Sequence, residues 1–335
     1  MTLNLSLACG EYDRTIALQS GAVVPRGIDL NFLAMNEPAE LFRRQARTAQ
    51  YDVSEFSLST HTLLKAQGDQ RFVGLPVFLS RKFRHSEIFV NTKAGIREPK
   101  DLIGKRVGVM EYQQTACVWI RGLLQHEYGV GIDQVDWYFG GYNEPDPNYT
   151  ERVPLSLPPS IKTVTIPPEK SLSGMLDDGE IDAAIAPSSP ASFRRGSPNV
   201  ARLFPDYQER DIDYFRRTSI FPIMHIVVIR KEVYEDAPWA AANLYDAFVK
   251  AKTLGIERLR HEGALFCALP WIMAHLEEVQ RVMGDDPFSY GMEENLATLQ
   301  TFLQYMREQG LVGESLTVEE LFAPETHRTV ELAKA

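Results

Sequence analysis

Residues 96–109 read Ile-Arg-Glu-Pro-Lys-Asp-Leu-Ile-Gly-Lys-Arg-Val-Gly-Val, and this stretch decides how the chain is divided. A short helical turn, a glycine break and a new apolar strand follow one another, which is typical of the start of a second α/β unit. Upstream, apolar strands at 3–8, 28–33 and 52–57 are separated by helical patterns. Strands that alternate with helices predict βαβ units and a largely parallel sheet.

The sequence pattern after residue 109 predicts that the first lobe is discontinuous, with the second lobe inserted into it. A proline-rich stretch at 143–168 predicts a long surface excursion, a strand at 223–229 predicts the return, and helical patterns follow residue 238. We expect lobe 1 to comprise residues 1–92 and 200–335, including C-terminal helices, and lobe 2 to be inserted as residues 93–199. A chain of 335 residues also suits two lobes better than one core. This organisation predicts an α/β, two-lobed type II periplasmic-binding-protein-like fold (a venus flytrap) that closes over a small anionic ligand.

Composition and charge argue against several classes of protein. A net charge of −10 argues against nucleic-acid binding, and no apolar run approaches the ~18 to 20 residues of a membrane span. The first residues lack a signal peptide, and the three cysteines (Cys9, Cys117 and Cys267) form no Cys-x-x-Cys pair, so we expect a cytoplasmic protein. The histidines lack metal-ligand spacing and no nucleotide motif is present, so no cofactor and no metal site are expected. Metal dependence and homo-oligomer formation stay open.

Ligands of open α/β sheets bind beyond the carboxyl ends of the strands. This rule selects five segments in which functional side chains are expected. They are Cys9–Arg14, Glu55–His61, Arg81–His85, Glu111–Thr115 and Pro187–Ser189.

The segment 81–85, Arg-Lys-Phe-Arg-His, concentrates three cations and a histidine after an apolar strand. Arginine offers two parallel hydrogen bonds to a carboxylate, so Arg81 and Arg84 are candidate carboxylate anchors. If the segment is extended, Arg81, Phe83 and His85 share one face. The alternative is a solvated surface hairpin.

The segment 111–115, Glu-Tyr-Gln-Gln-Thr, lies between a strand and a helix start, where free backbone N–H groups bind anions. Thr115 is a candidate hydroxyl donor and Tyr112 a candidate orienting donor, with a plain helix cap as the alternative. Glu111 is a candidate general base or a residue that complements the helix dipole. Ser188, after the strand at 181–186, is a candidate donor or part of a turn.

Glu55 and Ser57 alternate on a strand that otherwise looks buried. A carboxylate there requires a partner, and an arginine of lobe 1 is the plain structural alternative to a functional role. His225 lies in the apolar strand Phe-Pro-Ile-Met-His-Ile-Val-Val-Ile at 221–229, so it is a candidate acid–base residue or a satisfied core histidine.

Several stretches resemble the 4,5-dihydroxyphthalate decarboxylase family. They are Tyr-Asp-Val-Ser-Glu-Phe-Ser at 51–57, Phe-Leu-Ser-Arg-Lys-Phe-Arg-His-Ser at 78–86, Val-Gly-Val-Met-Glu-Tyr-Gln-Gln-Thr-Ala at 107–116, Trp-Ile-Arg-Gly at 119–122, Phe-Pro-Ile-Met-His at 221–225 and Pro-Phe-Ser-Tyr-Gly at 287–291. The resemblance implies non-oxidative loss of CO2 from a dihydroxylated phthalate, giving protocatechuate. A non-catalytic binding protein or sensor for a small aromatic carboxylate is the alternative, as is a cytoplasmic enzyme for another aromatic or cyclic acid.

We assign the roles within that reaction from the residues themselves. A base near the phenol, an acid near the carboxylated carbon and cations for the other carboxylate are required. The expected acid–base residues are His85, His225, Glu55 and Glu111. The expected substrate-binding residues are Arg81, Arg84, Tyr112, Thr115, Ser57 and Ser188.

Overall fold

The structure is a computed structural model that describes residues 2–327, which form two compact units. Unit 1 contains the chain up to Arg81, the segment Ile223–Gln300 and the residues from Leu316 onward. Unit 2 contains Lys82–Pro222 and Thr301–Ser315.

The helices and strands alternate along the chain as the pattern predicts. The strands are β1 (Leu3–Cys9), β2 (Ile28–Ala34), β3 (Val53–Ser57), β4 (Phe72–Arg81), β5 (Ile88–Asn91), β6 (Arg106–Val109), β7 (Asp136–Phe139), β8 (Thr163–Thr165), β9 (Ala183–Ile185), β10 (Val200–Arg202) and β11 (Ile223–Arg230). The helices are α1 (Ile16–Gln19), α2 (Pro38–Thr48), α3 (Leu58–Ala66), α4 (Thr115–Tyr128), α5 (Leu172–Asp178), α6 (Ala191–Arg194), α7 (Tyr207–Thr218), α8 (Lys231–Asp236), α9 (Trp239–Leu259), α10 (Ile272–Met283) and α11 (Leu296–Glu308).

Unit 1 is built on a five-stranded sheet in the order β2-β1-β3-β11-β4. Strands β1, β2 and β3 run parallel, whereas β11 runs antiparallel to both β3 and β4. The carboxyl ends of β1, β3 and β4 therefore meet the amino end of β11 at one edge, which we call edge 1. Every residue of β3 is buried, including two serines and a glutamate. Polar groups in such a strand require partners.

Unit 2 is built on a six-stranded sheet in the order β10-β5-β9-β6-β7-β8. Strands β6, β7, β8 and β9 are parallel, and β5 runs antiparallel to its neighbours β9 and β10. The carboxyl ends of β6 and β9 therefore meet the amino end of β5 at one edge, which we call edge 2. The predicted excursion at 143–168 includes the exposed strand β8, which extends this sheet beyond β7.

The predicted lobe boundaries at residues 92/93 and 199/200 need correction. The chain crosses into unit 2 after Arg81, because β5 forms its hydrogen bonds with β9 and β10 of the second sheet. It returns at Ile223, because β10 also pairs in that sheet. Residues 301–315 belong to unit 2 as well, since Phe302 packs on Trp119 with ring centroids 5.4 Å apart. Residues 328–335 of the predicted lobe 1, and Met1, lie outside the described residues.

Two local expectations also change. The helical pattern between the strands predicted at 3–8 and 28–33 forms only the short α1, because the Thr15 hydroxyl accepts from the Tyr12 N–H and donates to the Gly10 carbonyl, which forms a turn. The segment 81–85 is not extended: Arg81 ends β4, and His85 begins a short 3-10 helix. No helix among residues 2–327 has the length and apolar character that crossing a bilayer requires.

Candidate functional site

Glu55 and His225 meet at edge 1, although 170 residues separate them in sequence. In the β3–β11 ladder, Ser57 pairs with His225 and Glu55 pairs with Val227. Glu55 and His225 are therefore diagonal neighbours on one face of the sheet, within reach of side-chain contact. The His225 Nδ1 atom lies 2.6 Å from the Glu55 Oε1 atom.

Two further donors complete the surroundings of the Glu55 carboxylate. The Tyr12 hydroxyl donates to Oε1 at 2.8 Å, and the Gly10 backbone N–H donates to Oε2 at 3.0 Å. Both residues belong to the turn that follows β1. The carboxylate thus accepts three hydrogen bonds, two from the turn after β1 and one from β11.

These donors decide the ionisation of Glu55, whose side chain is fully buried. Burial alone would raise its pKa, but the hydrogen bond and charge of His225 and the bonds from Gly10 and Tyr12 outweigh burial and lower the pKa below the ordinary value. Burial and the adjacent carboxylate raise the pKa of Tyr12. At neutral pH the cluster therefore holds an ionised Glu55 and a protonated Tyr12 phenol.

His225 is positioned to exchange a proton. Because the Glu55 carboxylate only accepts hydrogen bonds, Nδ1 of His225 must carry a proton, which fixes the tautomer of the neutral ring. The Phe42 ring packs edge-on against the imidazole, with centroids 4.7 Å apart. The side chain stays 19% exposed, and its Nε2 atom makes no hydrogen bond within residues 2–327. That nitrogen is available to a ligand.

Arg14 supports the Tyr12 side of this cluster. Its guanidinium carbon lies 4.1 Å from the Tyr12 ring centroid, in a cation–π arrangement. The same guanidinium donates from Nε to the Leu79 carbonyl at 2.7 Å and from Nη1 to the Asp13 carboxylate at 2.9 Å. Arg14 therefore ties the turn after β1 to the end of β4.

Two other predicted residues lie at edge 1, in supporting positions. The Ser57 hydroxyl accepts from the Thr60 N–H at 3.3 Å and thereby caps α3, so the structure assigns it to a helix N-terminus. The Arg81 guanidinium donates to the Ser289 carbonyl at 3.0 Å and to the Asn295 side-chain oxygen. Burial lowers the pKa of Arg81 to about 10. Arg81 holds the 287–295 segment against the end of β4.

His85 and Arg84 lie in unit 2, beside edge 2. His85 Nδ1 pairs with the Asp211 carboxylate at 2.6 Å, and the buried ring packs against Phe204 with centroids 5.3 Å apart. His85 therefore joins its 3-10 helix to α7 as a packed core pair. Arg84 is buried, donates from Nη1 to the Pro187 carbonyl at 3.3 Å, and has an Nε without a hydrogen-bond partner in the described chain. Burial lowers its pKa to about 10.

Glu111 and Tyr112 also have internal partners in unit 2. The Glu111 carboxylate forms a 2.8 Å ion pair with Arg152, and both side chains are about 95% buried or more. The Tyr112 hydroxyl donates to the Gln309 carbonyl at 3.2 Å, and the Arg121 guanidinium carbon lies 3.8 Å from the Tyr112 ring centroid. These contacts fix the 111–115 segment to the excursion and to the segment after α11.

The last two predicted residues, Thr115 and Ser188, occupy different surroundings. Thr115 is the first residue of α4 and is buried. Ser188 is exposed, and its backbone carbonyl accepts from the Tyr142 hydroxyl at 2.8 Å.

Glu55 and His225 are thus the predicted acid–base residues that contact each other, whereas His85 and Glu111 pair with residues elsewhere in unit 2. The partner expected for Glu55 as the plain alternative was an arginine; the partners are a histidine and a tyrosine. Tyr12 and Arg14 were missed as individual candidates, although their segment was selected by its position after β1. Among residues 2–327, no group of three or more His, Cys, Asp or Glu side chains is placed to hold a metal ion.

Comparison with known proteins identifies the family. No protein-family model matches the chain. The 4,5-dihydroxyphthalate decarboxylase of Comamonas testosteroni is 41% identical over 322 residues, which cover 96% of this chain and 97% of that protein. The chain belongs to the 4,5-dihydroxyphthalate decarboxylase family. A second protein of that name, from Pseudomonas putida, is 41% identical over 217 residues, covering 65% of this chain and 83% of that protein.

The similarity to solved structures confirms the fold. The periplasmic aliphatic sulphonate binding protein SsuA from Escherichia coli aligns with a TM-score of 0.53 at 11% identity, covering 98% of this chain and 99% of that one. This family member therefore has the predicted two-lobed, type II periplasmic-binding-protein-like α/β fold. At such low identity the likeness shows the fold alone, because function depends on the site.

Proposed function

We propose that this protein is a carboxy-lyase that removes CO2 from 4,5-dihydroxyphthalate without oxidation and releases protocatechuate. The observation that carries the proposal is the Glu55–His225 pair at edge 1, with Nε2 of His225 left for a ligand. The substrate is inferred from the relative that covers 96% of this chain and bears the name of this activity.

The reaction needs proton transfers at two atoms of the substrate. Each carboxylate of 4,5-dihydroxyphthalate lies para to a hydroxyl group, so transfer of the hydroxyl proton to solvent pushes electrons toward the carbon that bears CO2. That carbon takes up a proton and the ring loses aromaticity. The bond to CO2 then breaks, and its electron pair returns to the ring. In the net reaction, one proton from the protein or solvent replaces CO2 on the ring carbon, and the phenol oxygen regains its proton.

We assign the proton for the ring carbon to Nε2 of His225. The ionised Glu55 carboxylate stabilises the imidazolium form that must supply this proton, and it holds the ring in one orientation. Tyr12 acts through Glu55: its hydroxyl fixes the carboxylate that accepts the hydrogen bond from Nδ1–H of His225. The substrate phenol serves as the electron sink, so the proposed chemistry requires no organic cofactor.

For carboxylate binding we retain Arg84 rather than Arg81. Arg81 already donates to two oxygens of the 287–295 segment. Arg84 donates one long hydrogen bond, 3.3 Å to the Pro187 carbonyl, so its buried guanidinium keeps more donors for a carboxylate. The assignments of Thr115, Tyr112 and Ser188 to substrate binding stay predictions, and we leave His85 and Glu111 out of the proton-transfer group.

The experiment follows CO2 and protocatechuate after 4,5-dihydroxyphthalate is added to purified, chelator-treated protein. We expect many turnovers by the wild type. We expect a loss of about 10²- to 10⁴-fold in kcat for His225→Ala. His275→Ala is the matched control, because His275 is an exposed histidine of α10 that is not a hydrogen-bond partner of Glu55.

Each other outcome has a separate meaning. Tight binding of intact 4,5-dihydroxyphthalate without product would contradict the proposed decarboxylase activity and favour a binding protein. Activity that returns only after a metal ion is added would show metal dependence. Wild-type rates in His225→Ala would remove His225 from the chemistry while leaving the decarboxylase assignment in place.

A further inference from the structure

A second feature of unit 1 is a cavity of about 200 Å³ between α9, α10 and the 284–288 loop. Its walls are predominantly apolar. The apolar lining residues are Ile256, Leu259, Leu276, Val279, Pro287 and Phe288. Neither Glu55 nor His225 lines it, so it is separate from the cluster described above.

The size of the cavity suits one aromatic ring. An apolar cavity of roughly 150 Å³ in another protein holds a benzene molecule. The additional volume here leaves room for one small polar substituent. An aromatic ring also matches the Phe288 wall, since aromatic pairs gain from offset or edge-on contact.

The charges at the cavity favour an anion. Three cations line it, Arg14, Lys252 and Arg260, against one carboxylate, Asp13. Lys252 also pairs with Asp286, and the lining residue Gln280 donates to Asp285, but neither carboxylate lines the cavity. Among the lining residues cations therefore outnumber carboxylates three to one, and a single carboxylate on the ligand would face these cations.

Donors remain for such a carboxylate. Lys252 donates to Asp286 and to the Phe288 carbonyl at 3.1 Å, so one of its three N–H groups is not used within residues 2–327. The exposed Arg260 donates one bond, to the Asp285 carbonyl at 3.0 Å, and keeps further N–H groups.

We propose that this cavity between α9 and α10 is a second ligand site that binds an aromatic monocarboxylate. The cavity touches the Glu55–His225 cluster through one residue, because the Arg14 guanidinium lies between the Phe288 ring at 4.9 Å and the Tyr12 ring at 4.1 Å. The site does not depend on the proposed decarboxylation, since it is argued from its own lining.

The test titrates full-length protein with benzoate, observed by calorimetry. Val279→Trp fills the cavity with an indole, and we expect it to weaken benzoate binding by at least about tenfold. Val24→Trp is the matched control, because Val24 is exposed in unit 1 and does not line the cavity. Both substitutions lie at surface positions, and circular dichroism checks that both variants fold.

Three further comparisons locate the ligand. Arg260→Gln should weaken benzoate several-fold, whereas Arg258→Gln, which changes an arginine outside the lining, should not. Benzyl alcohol, which has the ring without the charge, should bind more weakly than benzoate. His225→Ala should bind benzoate as the wild type does. Benzoate binding that survives Val279→Trp but disappears in His225→Ala would place the ligand beside Glu55 and overturn the proposal, and so would no detectable binding by the wild type.

Discussion

Replacing Glu55 by glutamine tests the proposed proton-transfer group with almost no change of shape. The carboxylate accepts three hydrogen bonds, from Tyr12, Gly10 and His225, in a fully buried position. A glutamine side chain has one accepting oxygen. When that oxygen faces Tyr12 and His225, its NH2 group opposes the Gly10 N–H; when it faces Gly10, the NH2 group opposes the Nδ1–H that orients His225.

The magnitude follows from these contacts. Hydrogen bonds to charged groups contribute about 1.5 to 3 kcal/mol, and a buried donor without a partner costs about 1 to 3 kcal/mol. Removing a buried charge offsets part of this loss. We therefore expect Glu55→Gln to lower the free energy of unfolding by about 2 kcal/mol. Because the imidazolium of His225 loses its counter-charge and its fixed tautomer, we expect kcat to fall by about 10²- to 10⁴-fold.

The assay combines CO2 release at saturating 4,5-dihydroxyphthalate with urea unfolding. Glu11→Gln is the matched control, since Glu11 is an exposed carboxylate of the same turn that accepts from Gln19 and Asn36. We expect this control to retain the wild-type kcat. A Glu55→Gln enzyme with reduced stability but an unchanged kcat would contradict a role of Glu55 in proton transfer, because Glu55 would then be a structural residue only.

Three other predictions follow from the same contacts. Tyr12→Phe removes the hydroxyl that donates to Glu55, so kcat should fall by roughly tenfold, the effect of about 1.4 kcal/mol, with KM little changed; an unaltered pH–rate profile and kcat would exclude a positioning role. Asp211→Asn weakens the buried His85–Asp211 pair, so the free energy of unfolding in urea should fall by about 1 to 3 kcal/mol while kcat is retained. A large fall in kcat would indicate that His85 takes part in catalysis. The pKa of Glu55 is lower in the folded state than in the unfolded chain. The ionised carboxylate therefore contributes its full stabilisation above the ordinary glutamate pKa of about 4.3. This contribution to the free energy of unfolding is lost as the pH falls through the lower, folded-state pKa. Stability curves of wild type and Glu55→Gln should therefore converge in that acidic range, and parallel curves would contradict the lowered pKa.

The local patterns of the sequence predicted the elements well where short-range information suffices. The boundaries of α5 are set by its immediate neighbours, Ser171 as the N-cap and Gly179 as the left-handed C-cap. The strand predicted at 52–57 matches β3 to within one residue. Caps and alternation are properties of neighbouring residues, so a single sequence reveals them.

The partners of the site residues depend on contacts that are distant in sequence. Arg81 binds Ser289 and Asn295, more than 200 residues away, and no local pattern indicates this. The pairing of β5 with β9 and β10 is also non-local. Because of this pairing, unit 2 begins after Arg81 and not at the predicted residue 93. Glu55 and His225 were predicted individually because polar residues in buried strands require partners, but their pairing depends on the β3–β11 register.

The most direct test of the proposed proton transfer is the reaction in deuterium oxide with wild type and His225→Ala. We predict that wild type forms protocatechuate over many turnovers, with one deuterium on the carbon that lost CO2. We also predict that the rate falls by about 10²-fold or more in His225→Ala. Equal rates of deuterated product from both proteins would contradict the assignment of the carbon proton to His225, and intact 4,5-dihydroxyphthalate in both would contradict the decarboxylase itself.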